Sequence, residues 1–280
     1  MTRLLADDIK AIPATIKSYD RELLEKTGCS LQQIASAAAA AGTANIMPAD
    51  YRVAVIPITS GLGTIAGFSE AVCSVACHLG FQAYVTAGAD VSGLSEAYRG
   101  RADLAMLADD RVFVAINLKT GSVADNAEAT ALGYAAALKL MAGSLNDRDV
   151  LLIGAGQVGS RAAEALAEMG ARLVIFDINK EAEASLVRRI REKTAIEVCG
   201  SVSLDDALKK CRVIFDASPG TSIIAGNLVN ERTIVAAPGV PLGLSCDAEQ
   251  VVKERLIHDP LQIGVAAMLY MVLAPGNKQD

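Results

Sequence analysis

Apolar side chains recur at Ile9, Ile12, Ile16, Tyr19 and Leu23, the three-and-four spacing of an amphipathic helix, so a helix is predicted over 8–27 with Gly28 to end it. An alanine-rich helix over 31–41 follows. The β-branched run Arg52-Val53-Ala54-Val55-Ile56-Pro57-Ile58 then suits a buried parallel strand. Beyond it the pattern predicts a helix at 68–79, a strand at 81–85, a short helix near 94–99 and strands at 104–107 and 112–116. This alternation implies a first α/β domain with a mainly parallel sheet. A longer helix over 124–142, ending at Gly143-Ser144, links it to a second alternation. There, strands at 149–153, 172–176, 196–199, 212–216, 233–236 and 255–257 are interleaved with helices at 157–169, 181–193 and 204–210. A last apolar helix, 263–273, is expected to pack back on the first domain.

The 280 residues are enough for two domains. With 52% hydrophobic and 21% charged residues the chain can bury a large core, and aromatic content of 4% makes that core aliphatic. A net charge of −6 gives no footprint for nucleic acid. The densest basic cluster, Arg188-Arg189 with Arg191, stands among Glu181, Glu183 and Glu192 on a predicted helix and reads as a solvated face. The N-terminal stretch lacks the apolar run and cleavage site of a signal peptide, and no segment reaches the roughly 18–20 apolar residues that span a bilayer. The expectation is a cytoplasmic protein without membrane or nucleic-acid partners, assembled as a homodimer, the commonest oligomer. The six cysteines form no CxxC pair; Cys73 and Cys77, one helical turn apart beside His78, lack further ligands, and no metal site is expected.

The strand Val150-Leu151-Leu152-Ile153 runs into Gly154-Ala155-Gly156-Gln157-Val158-Gly159 and then a helix, the context a dinucleotide fingerprint requires. Gly154 permits the turn, Gly156 lets the backbone approach a pyrophosphate, Gly159 lets the helix pack on the sheet, and the amides of Gln157 and Val158 open the helix toward phosphate. The next strand ends at Asp177, placed to accept hydrogen bonds from the adenosine ribose. Its charge would repel a 2′-phosphate, and the following Ile178 and Asn179 offer no arginine, so NAD is favoured over NADP. Ala217-Ser218-Pro219 and Pro238-Gly239 follow two further strands and suit the nicotinamide side of the crevice, although their composition also suits plain turns. The fold class is thus α/β: a smaller N-terminal α/β substrate domain (1–123), a linking helix (124–145), a Rossmann-type NAD-binding domain (146–262) and a C-terminal helical segment (263–280).

In the first half, Ser60 lies in the glycine-rich loop Thr59-Ser60-Gly61-Leu62-Gly63-Thr64, which serves either a ligand or a capped turn. Asp109-Asp110 stands at a strand's carboxyl end, where one carboxylate would hold or deprotonate a cationic amine, or else form an Asx turn into Arg111. Asp90 and Asp125-Asn126 are weaker cases, being good helix caps. Of the two histidines, His78 reads as a helix C-cap, and His258, at the end of the last strand, faces the crevice.

Together, Val55-Ile56-Pro57-Ile58-Thr59-Ser60-Gly61, Met106-Leu107-Ala108-Asp109-Asp110-Arg111, Ile116-Asn117-Leu118-Lys119, the glycine fingerprint, Ala237-Pro238-Gly239-Val240-Pro241 and Asp259-Pro260-Leu261 resemble the 3-methylornithyl-lysine dehydrogenase family of pyrrolysine biosynthesis. The resemblance implies an NAD-dependent dehydrogenase that oxidises the side-chain amine of Nε-(3-methyl-D-ornithyl)-L-lysine, releases ammonia and closes the pyrroline ring. It makes Asp109 the group that anchors the amine and passes its proton toward water, lays Leu4 and Leu5 against the substrate's methylenes, and turns Ser60, Asp90, Asn126 and His258 toward the rest of the substrate. Two other readings remain: a shikimate-type or amino-acid dehydrogenase on the same plan, and an NAD-sensing regulator. The shikimate type calls for a Lys-Asp pair in the first half, where Lys119 has no obvious acidic partner in sequence. The regulator calls for a basic winged-helix segment, which is absent from the pattern.

Overall fold

The structure is a computed structural model describing residues 4–39 and 46–274; the ends of two expected segments, 40–41 of the second helix and 275–280 of the C-terminal segment, lie outside them. The elements run α1 (Ala6–Ile9), α2 (Ile12–Thr27), α3 (Leu31–Ala38), β1 (Arg52–Ile56), α4 (Phe68–His78), β2 (Gln82–Val85), α5 (Asp90–Arg99), β3 (Leu104–Ala108), β4 (Phe113–Asn117), β5 (Val123–Asp125) and α6 (Asn126–Ala142). They continue with β6 (Asp149–Ile153), α7 (Gln157–Glu168), β7 (Arg172–Phe176), α8 (Lys180–Lys193), β8 (Val198–Gly200), α9 (Leu204–Lys210), β9 (Val213–Asp216), β10 (Ile234–Ala236), α10 (Cys246–Val252), β11 (Leu256–Ile257) and α11 (Gln262–Met271).

Two sheets organise them. The second, ordered β11-β10-β9-β6-β7-β8, is parallel throughout and reverses direction of winding between β6 and β9, so its crevice opens at the carboxyl ends of those strands. The first, ordered β2-β1-β3-β4-β5, is parallel only over β2, β1 and β3; β4 and β5 run antiparallel. The expected mainly parallel sheet is therefore mixed. Only 109–112 separate β3 from β4, too few residues for a parallel crossover, so the chain turns back as a hairpin.

The single predicted helix at 8–27 is broken into α1 and α2. Pro13 has no amide hydrogen, and its ring would clash with the carbonyl of Ile9, so the helix restarts at Ile12. Gly28 ends α2 at φ 72°, its amide donating to Leu24 O. His78 does not cap its helix: Gly80, at φ 91°, makes the turn, and His78 Nε2 instead lies 2.8 Å from Asp20 Oδ2, tying α4 to α2. Helix α10 and strand β5 escape the sequence pattern, being short and largely polar or merged with a neighbouring helix.

Every residue of α11 is buried, and the helix packs against α6, α3 and α4. Gly133 of α6 and Gly264 of α11 let the two helices approach closely: a Cβ at Gly133 would meet Ile263 Cγ2 at 2.5 Å, and one at Gly264 would meet Thr130 Oγ1 at 2.5 Å. One continuous apolar core joins α2, α3, α4, α6 and α11 to the facing sides of both sheets.

Candidate active site

The carboxyl ends of both sheets face one cavity of about 470 Å³, a size that suits a small-molecule ligand. Its wall draws on both halves: Leu107, Asp109 and Phe113 from the β3–β4 hairpin, Asn126 and Thr130 from α6, and Gly156, Gln157 and Val158 from the glycine turn. Ala217, Ser218 and Pro219 after β9, Pro238 and Gly239 after β10, and Pro260 and Leu261 before α11 complete it.

The glycine turn has the geometry a dinucleotide needs. Gly154, at φ 93°, carries the chain out of β6, and a Cβ there would meet the Ala217 carbonyl at 3.0 Å. At Gly159 a Cβ would overlap Gly154 O, so only glycine lets α7 sit this close to the turn. Gly156, by contrast, has nothing within 4 Å of its Cβ position, which leaves its backbone open to the cavity beside the free first amides of α7. Asp177 Oδ2 accepts from Ala155 N–H at 2.6 Å and Oδ1 from Asn179 N–H at 2.7 Å. Each oxygen keeps a second lone pair for a sugar hydroxyl. These residues fit a dinucleotide lying from Asp177 across Gly156 to the loops at 217–219 and 238–239.

The substrate side is mainly apolar. Phe68 and Phe113 meet edge to face, centroids 5.3 Å apart at 69°, and with Ile58, Ile65, Met106 and half-buried Leu4 they line one wall. Asp109 is exposed at the rim. Its Oδ1 accepts from the Arg111 and Val112 amides at 2.7 and 2.8 Å, the Asx turn weighed above, and these bonds hold its carboxyl below the usual carboxylate range. The Asx turn and the placement at the cavity thus coexist. Asp110 lines the cavity as well, and its Oδ2 accepts from Leu62 N–H at 2.6 Å and pins the 60–64 loop.

Several expected site residues lie off the cavity wall. Leu5 is 68% exposed and only starts α1. Ser60 stays on the outside of its loop, where Gly63 and Thr64 reach the cavity instead. Asp90 accepts from the Thr59 amide and hydroxyl, contacts that hold its carboxyl low, so it braces the loop from behind. His258 is not among the residues that line the cavity; its Nδ1 lies 2.7 Å from Ala237 O, an acceptor that makes Nδ1 the protonated nitrogen. Ile178, 91% exposed, lies beyond Asp177 at the outer edge. Lys119 does have an acidic partner: its Nζ is 2.5 Å from Asp103 Oδ1. That pair stands before β3 and after β4, at the sheet end opposite the cavity, so it cannot touch a ligand there.

Two features were not legible. The apolar wall uses residues indistinguishable by pattern from core; the one available signal was a phenylalanine placed directly after each of the two loops that face the crevice. Asp216, the last residue of β9, is completely buried. Its Oδ1 accepts from the Ser218 amide and hydroxyl at 3.0 and 2.7 Å, while Oδ2 has no hydrogen-bond partner among the described residues; burial pushes its carboxyl up against the pull of those bonds and of nearby His258. An acid closing the apolar run Val213-Ile214-Phe215 was the signal for it. It sets the shape of the 217–219 wall from beneath.

Comparison with known proteins gives two matching family models: the N-terminal domain of pyrrolysine biosynthesis protein PylD over residues 8–124, and shikimate / quinate 5-dehydrogenase over 136–239. The chain is 34% identical over 276 residues to the pyrrolysine synthase of Methanosarcina barkeri, covering 98% of each chain. It is 30% identical to that of Methanosarcina acetivorans, covering 98% of this chain and 100% of that one. Among solved structures it shares its fold with quinate dehydrogenase from Corynebacterium glutamicum in complex with NAD (TM-score 0.54, 15% identity, 79% of this chain and 93% of that chain). Shikimate dehydrogenase from Aquifex aeolicus is similar too (TM-score 0.52, 16% identity, 82% and 95%).

Proposed function

The chain belongs to the pyrrolysine synthase family, and from that premise we propose that it is an NAD-dependent amine dehydrogenase acting on Nε-(3-methyl-D-ornithyl)-L-lysine to form pyrrolysine. The observation that carries this reading is the single cavity in which an open dinucleotide turn faces an apolar, acid-rimmed wall. A substrate with a long aliphatic stem and a cationic tip matches that wall. The bound dinucleotide supplies a two-electron hydride acceptor. The amine-bearing carbon gives up a hydride and the nitrogen a proton; water adds to the resulting imine, ammonia leaves, and the α-amine condenses with the aldehyde, losing water, to close the ring.

The chain's own residues position these events. Gly156 and the first amides of α7 hold the diphosphate, Asp177 the adenosine ribose, and Ala217-Ser218-Pro219 with Pro238-Gly239 the nicotinamide end. The Asp177 carboxylate supports NAD over NADP, because it would repel a 2′-phosphate. Phe68, Phe113 and Leu4 exclude water along the methylenes, Asn126 binds a polar end, and Asp109 anchors the ammonium through its free Oδ2. A carboxylate held low in pKa is a poor sink for the amine's proton, so Asp109 orients the tip and water receives the proton. The test mixes the protein, NAD and the dipeptide-like substrate and follows reduced nicotinamide together with ammonia. Equimolar appearance of both is expected; neither appearing would end the reading. The position of the Lys119–Asp103 pair, away from the cavity, disfavours the shikimate-type alternative.

A further inference from the structure

Three residues after Asp177 the chain carries a cation, Lys180, whose contacts the sequence pattern does not reveal. Lys180, the first residue of α8, folds its ammonium back over the Phe176 ring, 4.3 Å from the centroid. The same nitrogen donates to Glu183 Oε2 at 2.7 Å and to Ser201 O at 2.8 Å. Glu183 is 7% exposed, and its Oε2 also accepts the Asp177 amide at 3.0 Å, so the ammonium lies two hydrogen bonds from the backbone of the ribose-binding acid. Its other oxygen packs on Gly200 of β8, where a Cβ would overlap it. Glu183 is thus held against the Gly200 backbone on one side and bonded to Lys180 and the Asp177 amide on the other.

A lysine just after a ribose-binding acid is positioned to attract a 2′-phosphate, since phosphate and ammonium pair strongly. Here the half-exposed ammonium is instead paired with Glu183, Ser201 O and the Phe176 ring. We propose that Glu183 is a specificity-determining residue: by neutralising and sequestering Lys180 it withholds the 2′-phosphate partner, so discrimination against NADP rests on Glu183 together with Asp177. The proposal depends on the dinucleotide site described above, and it adds a second lock to it.

Equilibrium titration of the full chain with NADH and with NADPH, read by nicotinamide fluorescence, tests this without turnover. Glu183→Gln keeps an acceptor for the Asp177 amide but removes the charge that holds Lys180. It should tighten NADPH binding about tenfold, as expected for releasing one unit of charge near a phosphate, while NADH changes less than about threefold. Lys180→Met alone should leave NADPH binding within about threefold, because its ammonium is already paired with Glu183, and the double variant should lose the gain of Glu183→Gln. Thermal melts identify a variant that fails to fold; a folded Lys180→Met protein that loses NADPH affinity about tenfold would show that Lys180 already reaches the phosphate and would by itself overturn the proposal. Wild-type protein that binds NADH while Glu183→Gln leaves the NADPH to NADH ratio unchanged would overturn the role of Glu183 and leave the site intact. Wild-type protein that binds neither nucleotide, or prefers NADPH, would overturn the cofactor reading and the proposal with it.

Discussion

Two aspartates at the cavity are driven in opposite directions by their surroundings. Asp109 accepts two backbone amides that hold its carboxyl below the usual carboxylate range, so the charge proposed to anchor the substrate amine is present throughout neutral and alkaline pH. Turnover should therefore rise with pH as the substrate amine, with a pKa of about 10 in water, loses its proton, with no acid limb contributed by Asp109. Asp109→Asn should lower kcat/KM about 100-fold through loss of orientation, with the NADH dissociation constant unchanged; steady-state kinetics and a titration read the two. Asp216 is raised by burial instead. An acid with a folded pKa above its unfolded value binds more protons when folded, so its stability contribution falls as pH climbs from the unfolded pKa of 3.8 toward the folded one. Asp216→Asn retains the acceptor for Ser218 and removes the buried charge. Its melting temperature should exceed wild type at pH 8 and approach it at pH 4; a difference that does not grow with pH would contradict this account.

Helix α11 is expected from sequence to return to the first half of the chain and packs there on α3 and α4, while its seat on α6 was not foreseen. Its apolar run is plain, yet which partner it meets depends on Gly133, on a helix more than 100 residues earlier. Gly133→Ala forces a methyl into Ile263, an overpacking that should cost about 1–3 kcal/mol in chemical denaturation. The glycine turn was legible because its spacing is local: strand, turn, helix and acid all fall within Val150 to Asp177. The Lys119–Asp103 pair was not, since the partners are joined only by the β3–β4 register that sets Leu104 opposite Asn117. Likewise the hairpin made Asp110 a brace for Leu62, a relation between loops 48 residues apart that neither loop announces alone. Asp90 and Ser60 were singled out for chemistry, but short polar residues in turns serve backbone amides as readily as ligands. Pattern identified the elements and the local motif; long-range pairing decided which polar groups reach the cavity.

At the scale of the whole molecule, one buried carboxylate ties three helices together at the cavity's edge. Asp259 Oδ2 accepts from Tyr19 of α2 at 2.5 Å and Tyr134 of α6 at 2.9 Å, while Oδ1 accepts the Leu261 and Ile263 amides that open α11 at 2.9 and 3.3 Å. Both phenols are pushed well above their ordinary pKa by burial and stay protonated donors. Asp259→Ala leaves the Tyr19 hydroxyl and the Leu261 and Ile263 amides without this acceptor, while Tyr134 keeps the backbone carbonyl and amide of residue 259; the change should cost about 2–4 kcal/mol. Tyr19→Phe should cost about 1 kcal/mol, and the pair should be non-additive because the single changes break a shared network. Pro260 and Leu261, directly after the hub, line the cavity. Loosening Asp259 should therefore also raise the KM for the substrate more than it weakens NADH, whose proposed phosphate and ribose partners lie on α7 and just after β7. Urea unfolding of the two single variants and the double, alongside NADH titration, separates these effects. Additive losses, or equal weakening of both ligands, would show that the hub does not connect the helices to the substrate wall.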